Sequence, residues 1–97
     1  MSKLNFLIDL EKVINDRISN NIENSYTSDL INKGEIEICK KIGEEATEVI
    51  MAATKEDNSR VIHESADLIY HLLVLLGVKG ISLKDVVLEL EERRNKN

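Results

Sequence analysis

Residues 35–54 (EIEICKKIGEEATEVIMAAT) and 60–78 (RVIHESADLIYHLLVLLGV) decide how this chain folds. In the first stretch Ile38, Ile42, Ala46, Val49, Ile50 and Ala53 recur at helical spacing, which predicts an amphipathic helix with one apolar stripe. In the second, the run from Leu68 to Leu76 is apolar almost all round, the mark of a helix buried on several sides. Asp57, Asn58 and Ser59 lie between them as turn and cap residues. A connection this short sets the two helices antiparallel.

Upstream, Leu4, Leu7, Leu10, Ile14 and Ile18 predict a first amphipathic helix over residues 3–18. The polar stretch 19–27 reads as a loop. Thr27 is placed to cap a short helical turn over 28–32, and Gly34 to end it. Downstream, Gly77 and Gly80 loosen and end the long apolar helix. Ser82 opens a last helix, with Asp85 three residues on as a partial capping box. Val86, Leu88 and Leu90 are expected on its inner side, and the charged segment 91–96 is expected to fray.

Composition agrees with an all-α reading. The chain has 97 residues, no Pro and only four Gly. It is 42% hydrophobic but 3% aromatic, so Ile, Leu, Val and Ala must build the core. The expectation is one domain over residues 1–97, a small four-to-five-helix bundle. Its long third helix carries more apolar surface than a bundle this small can bury, so completion by homodimerisation is expected. A formal charge of −5 without a basic stripe argues against duplex binding. Cys39 has no partner for an internal disulfide and is expected to pack as a small apolar residue. Neither a signal peptide nor a membrane span is legible, so no membrane association and a cytoplasmic location are expected.

The two deciding helices also carry the acids. Glu44, Glu45 and Glu48 lie on one, Glu64 and Asp67 on the other. Residues three apart differ by about 60° of rotation and one turn of height, so Glu45 projects with Glu48 and Glu64 with Asp67. Antiparallel helices about 8–10 Å apart can bring these four carboxylates to one point. Like charges so close, bordering an apolar stripe, repel and resist burial unless a counter-ion joins them. Oxygen-only donors suit Mg²⁺, with Mn²⁺ as a substitute, better than Zn²⁺. A helical di-iron site would need Glu-x-x-His pairs, and neither His63 nor His71 has a Glu three residues earlier.

Glu-Glu-x-x-Glu followed by Glu-x-x-Asp resembles the signature of the all-α nucleotide pyrophosphohydrolase superfamily, the MazG-like proteins. Three further segments narrow the likeness: Ser25-Tyr26-Thr27, residues 40–49 (KKIGEEATEV) and residues 64–76 (ESADLIYHLLVLL). With these the chain is similar to the phosphoribosyl-ATP pyrophosphatase family of histidine biosynthesis over nearly its whole length. The resemblance implies hydrolysis of phosphoribosyl-ATP to phosphoribosyl-AMP and pyrophosphate by a homodimeric, Mg²⁺-dependent enzyme. It implies Glu45, Glu48, Glu64 and Asp67 as metal ligands, with Glu44 as a further ligand or a group orienting water. It also implies a phosphoribosyl-AMP cyclohydrolase in the same pathway, expected here on a separate chain.

Glu44 and Glu48 are the candidates to orient or deprotonate the attacking water. Lys41 shares the face of Glu45 and Glu48, where it is placed either to contact phosphate or to pair with Glu44 or Glu45. Tyr26 and Thr27 are candidates to touch base or ribose, and Lys33 to touch phosphate. His71 reads as a hydrogen-bonded interface histidine. Two other functions fit the same acids: a house-cleaning nucleoside triphosphate pyrophosphohydrolase, and a non-enzymatic cation-binding helical module.

Overall fold

The computed structural model describes residues 3–96, and among these there are five α-helices and no strand. They are α1 (Asn5–Ser19), α2 (Tyr26–Lys33), α3 (Glu35–Lys55), α4 (Asn58–Val78) and α5 (Leu83–Lys96). The all-α bundle read from the sequence is the one observed.

The centre of the fold is the α3–α4 hairpin, which makes the most extensive helix pairing in the molecule. Its open end is closed by an ion pair from Lys79 Nζ to Glu35 Oε1 at 3.2 Å, which joins the end of α4 to the start of α3. Ile14 of α1, Leu30 of α2, Ile38 of α3, and Leu73 and Val74 of α4 meet as a buried apolar cluster at that end. Four helices thus contribute to one small core. α1 lies close against α4 because Gly77 has no side chain. A Cβ there would come within 2.8 Å of Ile18 Cδ1. This glycine sits inside the helix and admits a neighbour rather than loosening the chain.

The helix ends follow local chemistry. Ser25, not Thr27, caps α2, its Oγ accepting from the Ser28 amide at 3.2 Å. The expectation for Thr27 fails because the chain turns helical two residues earlier, which places Thr27 inside the first turn. Gly34 ends α2 and begins α3 at φ 99°, ψ 169°, a backbone region only glycine adopts readily. Asp57 caps α4, accepting from the Arg60 amide at 3.1 Å. The helix closes on Gly80 at φ 73°, where the Ile81 amide bonds the Leu76 carbonyl and the Gly80 amide bonds the Gly77 carbonyl. That pairing is a Schellman motif. Ser82 and Asp85 exchange amide-to-side-chain bonds at 3.2 and 3.3 Å, so the expected capping box is present.

Three packing expectations are corrected. The inward stripe of α3 runs through Ile38, Glu45 and Ala52. Ile50 is 63% exposed and Ala53 is also exposed. The stripe is rotated relative to the expected one, with Glu45 among its buried positions. Cys39 is exposed, one position round from buried Ile38. α5 buries no residue, and Leu88 and Leu90 face solvent while Leu83 packs on the core. α5 is held at its start, where Glu11 Oε2 of α1 accepts from the Leu83 amide at 2.6 Å. Its charged tail continues as helix to Lys96, with Arg93–Glu89 and Lys96–Glu92 pairs at 3.0 and 3.7 Å.

By length and mean hydropathy (1.5), α4 would qualify as a membrane span. In the bundle it buries Glu64, His71, Leu73 and Val74 and packs against α3 and α1, while Ile62, Ile69 and Leu72 stay exposed.

Candidate active site

Two turns beyond the apolar cluster, the α3–α4 interface changes from hydrocarbon to carboxylate. Glu45 and Glu64 are 6% and 4% exposed, and Glu48 stands at their open side. One oxygen from each of these three lies within 4.8 Å of the others. The predicted spacing works as expected for Glu45 and Glu48 on α3, one turn apart, facing Glu64 on α4.

Asp67 does not join that triangle. It forms a second cluster with Glu64 and His63, again within 4.8 Å, and pairs with His63 Nε2 at 3.5 Å. Glu64 is the shared member. The four expected ligands therefore form two adjoining groups rather than one ring. Glu44, one residue from Glu45, is turned away and exposed. Its charge acts on Lys41 instead.

The electrostatics show how these acids tolerate one another. A hydrogen bond shared with Glu64 holds Glu48 below the ordinary carboxylate range, and the same bond raises Glu64 above it. Cations supply the rest. Arg60 Nη2 donates to Glu64 Oε1 at 2.7 Å, and its Nε lies 3.5 Å from Glu56. Lys41 Nζ lies 3.6 Å from Glu45 Oε1. Burial pulls the Lys41 ammonium down, but the charges of Tyr26, Glu44 and Glu45 outweigh it and hold it above its usual value.

Even so, Glu45 Oε2 and Glu64 Oε2 are buried with no hydrogen-bond partner. A buried carboxylate oxygen left bare is costly, and two such carboxylates in one cluster suit a hard divalent cation.

Two clefts flank the acids. One, of about 380 Å³, is lined by Thr47, Glu48, Met51, Glu56, Arg60 and Glu64. The other, of about 190 Å³, is lined by Tyr26, Asp29, Leu30, Lys33, Glu37 and Lys41. The second unites three of the residues picked from sequence for substrate: Tyr26, Lys33 and Lys41. Thr27 is not among them; its hydroxyl bonds the Tyr70 hydroxyl. Burial, opposed by Lys41, raises the Tyr26 phenol above its usual value.

Sequence reasoning passed over Arg60 and His63. The available signal was their place four residues before Glu64 and Asp67, the helical spacing for ion pairs. It also left His71 without a partner. His71 is buried, its Nδ1 lies 2.7 Å from the Asp67 carbonyl and its Nε2 lies 2.8 Å from the Tyr26 hydroxyl.

Comparison with known proteins is consistent across nearly the whole chain. The sequence model described as phosphoribosyl-ATP pyrophosphohydrolase matches residues 7–94. A phosphoribosyl-ATP pyrophosphatase of Sulfurisphaera tokodaii is 53% identical over 89 residues, covering 92% of this chain and 95% of that protein. One from Saccharolobus islandicus is 48% identical, covering 88% and 90%. A bifunctional histidine-biosynthesis protein of Photobacterium profundum is 50% identical over 94% of this chain, which spans 44% of that longer protein.

Proposed function

The chain belongs to the phosphoribosyl-ATP pyrophosphohydrolase family, and we propose that its hydrolysis works at a divalent-cation site built on Glu45, Glu48 and Glu64. It is a hydrolase of histidine biosynthesis that converts phosphoribosyl-ATP to phosphoribosyl-AMP and pyrophosphate. The observation supporting the cation is the pair of buried, unpartnered oxygens on Glu45 and Glu64. Mg²⁺ is the proposed ion, with Mn²⁺ as a substitute, and Asp67 adds a further carboxylate from the His63 side. Bound there, the ion neutralises and orients the triphosphate.

The chain's own groups divide the remaining work. Glu45 and Glu64, walled in by the helix pair, hold fixed positions. Glu48 is exposed at the rim, so it presents an oxygen where an attacking water can be oriented. Of the two catalytic candidates it is preferred to Glu44, which faces Lys41 outside the cluster. Lys41 and Lys33, on the second cleft, are the proposed phosphate contacts, and Tyr26 a base or ribose contact. Thr27 serves the fold through Tyr70.

The proposed enzyme is a homodimer of the cytoplasm. The helix pair that carries the acids leaves Ile50, Ile62, Ile69 and Leu72 exposed outside the acid clefts. An apolar surface of that kind favours a second copy. A phosphoribosyl-AMP cyclohydrolase then takes the product.

A substrate panel tests the reading. Incubation with phosphoribosyl-ATP and Mg²⁺ should release pyrophosphate, in preference to release from common nucleoside triphosphates. Orthophosphate as the only product would refute cleavage between the α and β phosphates. A common nucleoside triphosphate as the preferred substrate would make this a house-cleaning enzyme.

A further inference from the structure

We propose that His71 is a positioning residue that fixes Tyr26 as the aromatic wall against which the substrate's purine stacks. The inference rests on the reading that this site takes a purine nucleotide.

The hydrogen bonds assign the roles. A carbonyl oxygen only accepts, so His71 Nδ1 donates to the Asp67 carbonyl at 2.7 Å. In the neutral ring Nε2 is then the acceptor, and the Tyr26 hydroxyl donates to it at 2.8 Å. The two rings also meet edge to face at 5.8 Å, and Tyr70 meets His71 in the same way at 5.2 Å. The bond uses the tyrosine's one donor and leaves its oxygen able only to accept. What Tyr26 offers the cleft is its ring, which with Lys33 and Lys41 lines the 190 Å³ space beside the acids. The residue is 55% exposed, an unusual state for an aromatic whose hydroxyl is anchored to a buried histidine. Lys33 and Lys41 share this cleft with Asp29 and Glu37, so its charge is mixed, and it is the anchored, exposed ring that suits a flat base.

A wall of this kind acts on the ground state and the transition state alike. Loosening it should raise KM and leave kcat nearly alone. His71→Asn keeps a donor near the Nδ1 position for the Asp67 carbonyl and removes the acceptor for Tyr26. Tyr26→Phe keeps the ring and removes the donor. Each should raise KM by about fivefold or more, with kcat within about threefold of wild type. The double variant should be no worse than either single one, because both break the same bond. His71→Gln, whose amide oxygen lies near the Nε2 position, should recover part of the loss.

Mn²⁺ binding to the substrate-free protein, followed by electron paramagnetic resonance, should match wild type in all of them. A fall in kcat without a change in KM would overturn the proposal. So would additive effects in the double variant, or weakened Mn²⁺ binding, which would place the action of His71 on Asp67. Unchanged kinetics in Tyr26→Phe would overturn it as well, whatever the stability of the His71 variants. Should wild type prefer a different purine nucleoside triphosphate, the assigned substrate fails, and the same comparison made with that nucleotide still decides the role of His71.

Discussion

Glu45 and Glu64 face each other across the α3–α4 hairpin under closely matched conditions. Both are buried, both have one bare oxygen, and each is served by a cation one turn earlier on its own helix. The cations differ. Arg60 makes a 2.7 Å bond to Glu64 and also lies 3.5 Å from Glu56, so two acids hold it in place. Lys41 stands 3.6 Å from Glu45 and lines the cleft with Tyr26 and Lys33. Guanidinium geometry favours a fixed, directional pairing, whereas an ammonium on a flexible stem moves between partners. The α4 side thus carries a counter-ion held by two acids, and the α3 side the more loosely held one that is proposed to contact phosphate.

The largest effect expected is common to both sides. Glu45→Gln and Glu64→Gln should each lower turnover by on the order of a thousandfold, while helical circular dichroism stays near that of wild type. Activity surviving in one of the two would break the symmetry of the pair at its root.

The next effect should separate the sides. Lys41→Met should raise KM for phosphoribosyl-ATP by about tenfold, as expected for the loss of one charge contact to phosphate. Arg60→Met should leave KM within a few fold. It should lower the melting temperature of the metal-free protein by several degrees and enlarge the rise that saturating Mg²⁺ produces, because Glu64 then lacks its resident cation. Matching KM increases in both variants would show that the two cations do the same work.

The smallest effect sharpens what belongs to Arg60's side chain and what to its backbone. Asp57 caps the turn that presents Arg60, and hydrogen bonds from the Ser59 hydroxyl and the Arg60 amide depress its pKa. A depressed carboxylate stabilises the fold above its unfolded pKa, and that contribution is lost as pH falls through the native one. Asp57→Ala should therefore melt a few degrees lower at neutral pH, with the gap closing in acid. Asp57→Asn, a cap that does not titrate, should keep its advantage over Ala across the range. A gap that persists unchanged in acid would detach the cap from titration.

The helices and the hairpin were legible because periodicity and breaker residues are local signals. Ser25 was missed as the cap because serine and threonine both stood in the polar stretch, and only the chain's path chose between them. Ile50 and Ala53 were placed inward by counting apolar residues. Which side of the helix is covered depends on a facing helix that no single stretch encodes. Leu88 and Leu90 misled for a related reason: alternation marks an inner side only when a neighbour covers it. Glu45, Glu48 and Glu64 converge as spacing predicts, while Asp67 falls toward His63. The Tyr26–His71 bond spans 45 positions in sequence, and nothing near either residue announces it.

Gly34 gives that bond a mechanical meaning. It is at once the last cap of α2 and the first of α3, so the two helices share a single joint. α2 has eight residues, a rigid rod of roughly 12 Å. A swing of about ten degrees at the joint would carry its far end by about 2 Å, given that length. Tyr26 is that far end. The tether to His71 therefore acts where leverage is greatest, and together with the Thr27–Tyr70 bond beside it and Leu30 in the core it fixes the aim of the rod.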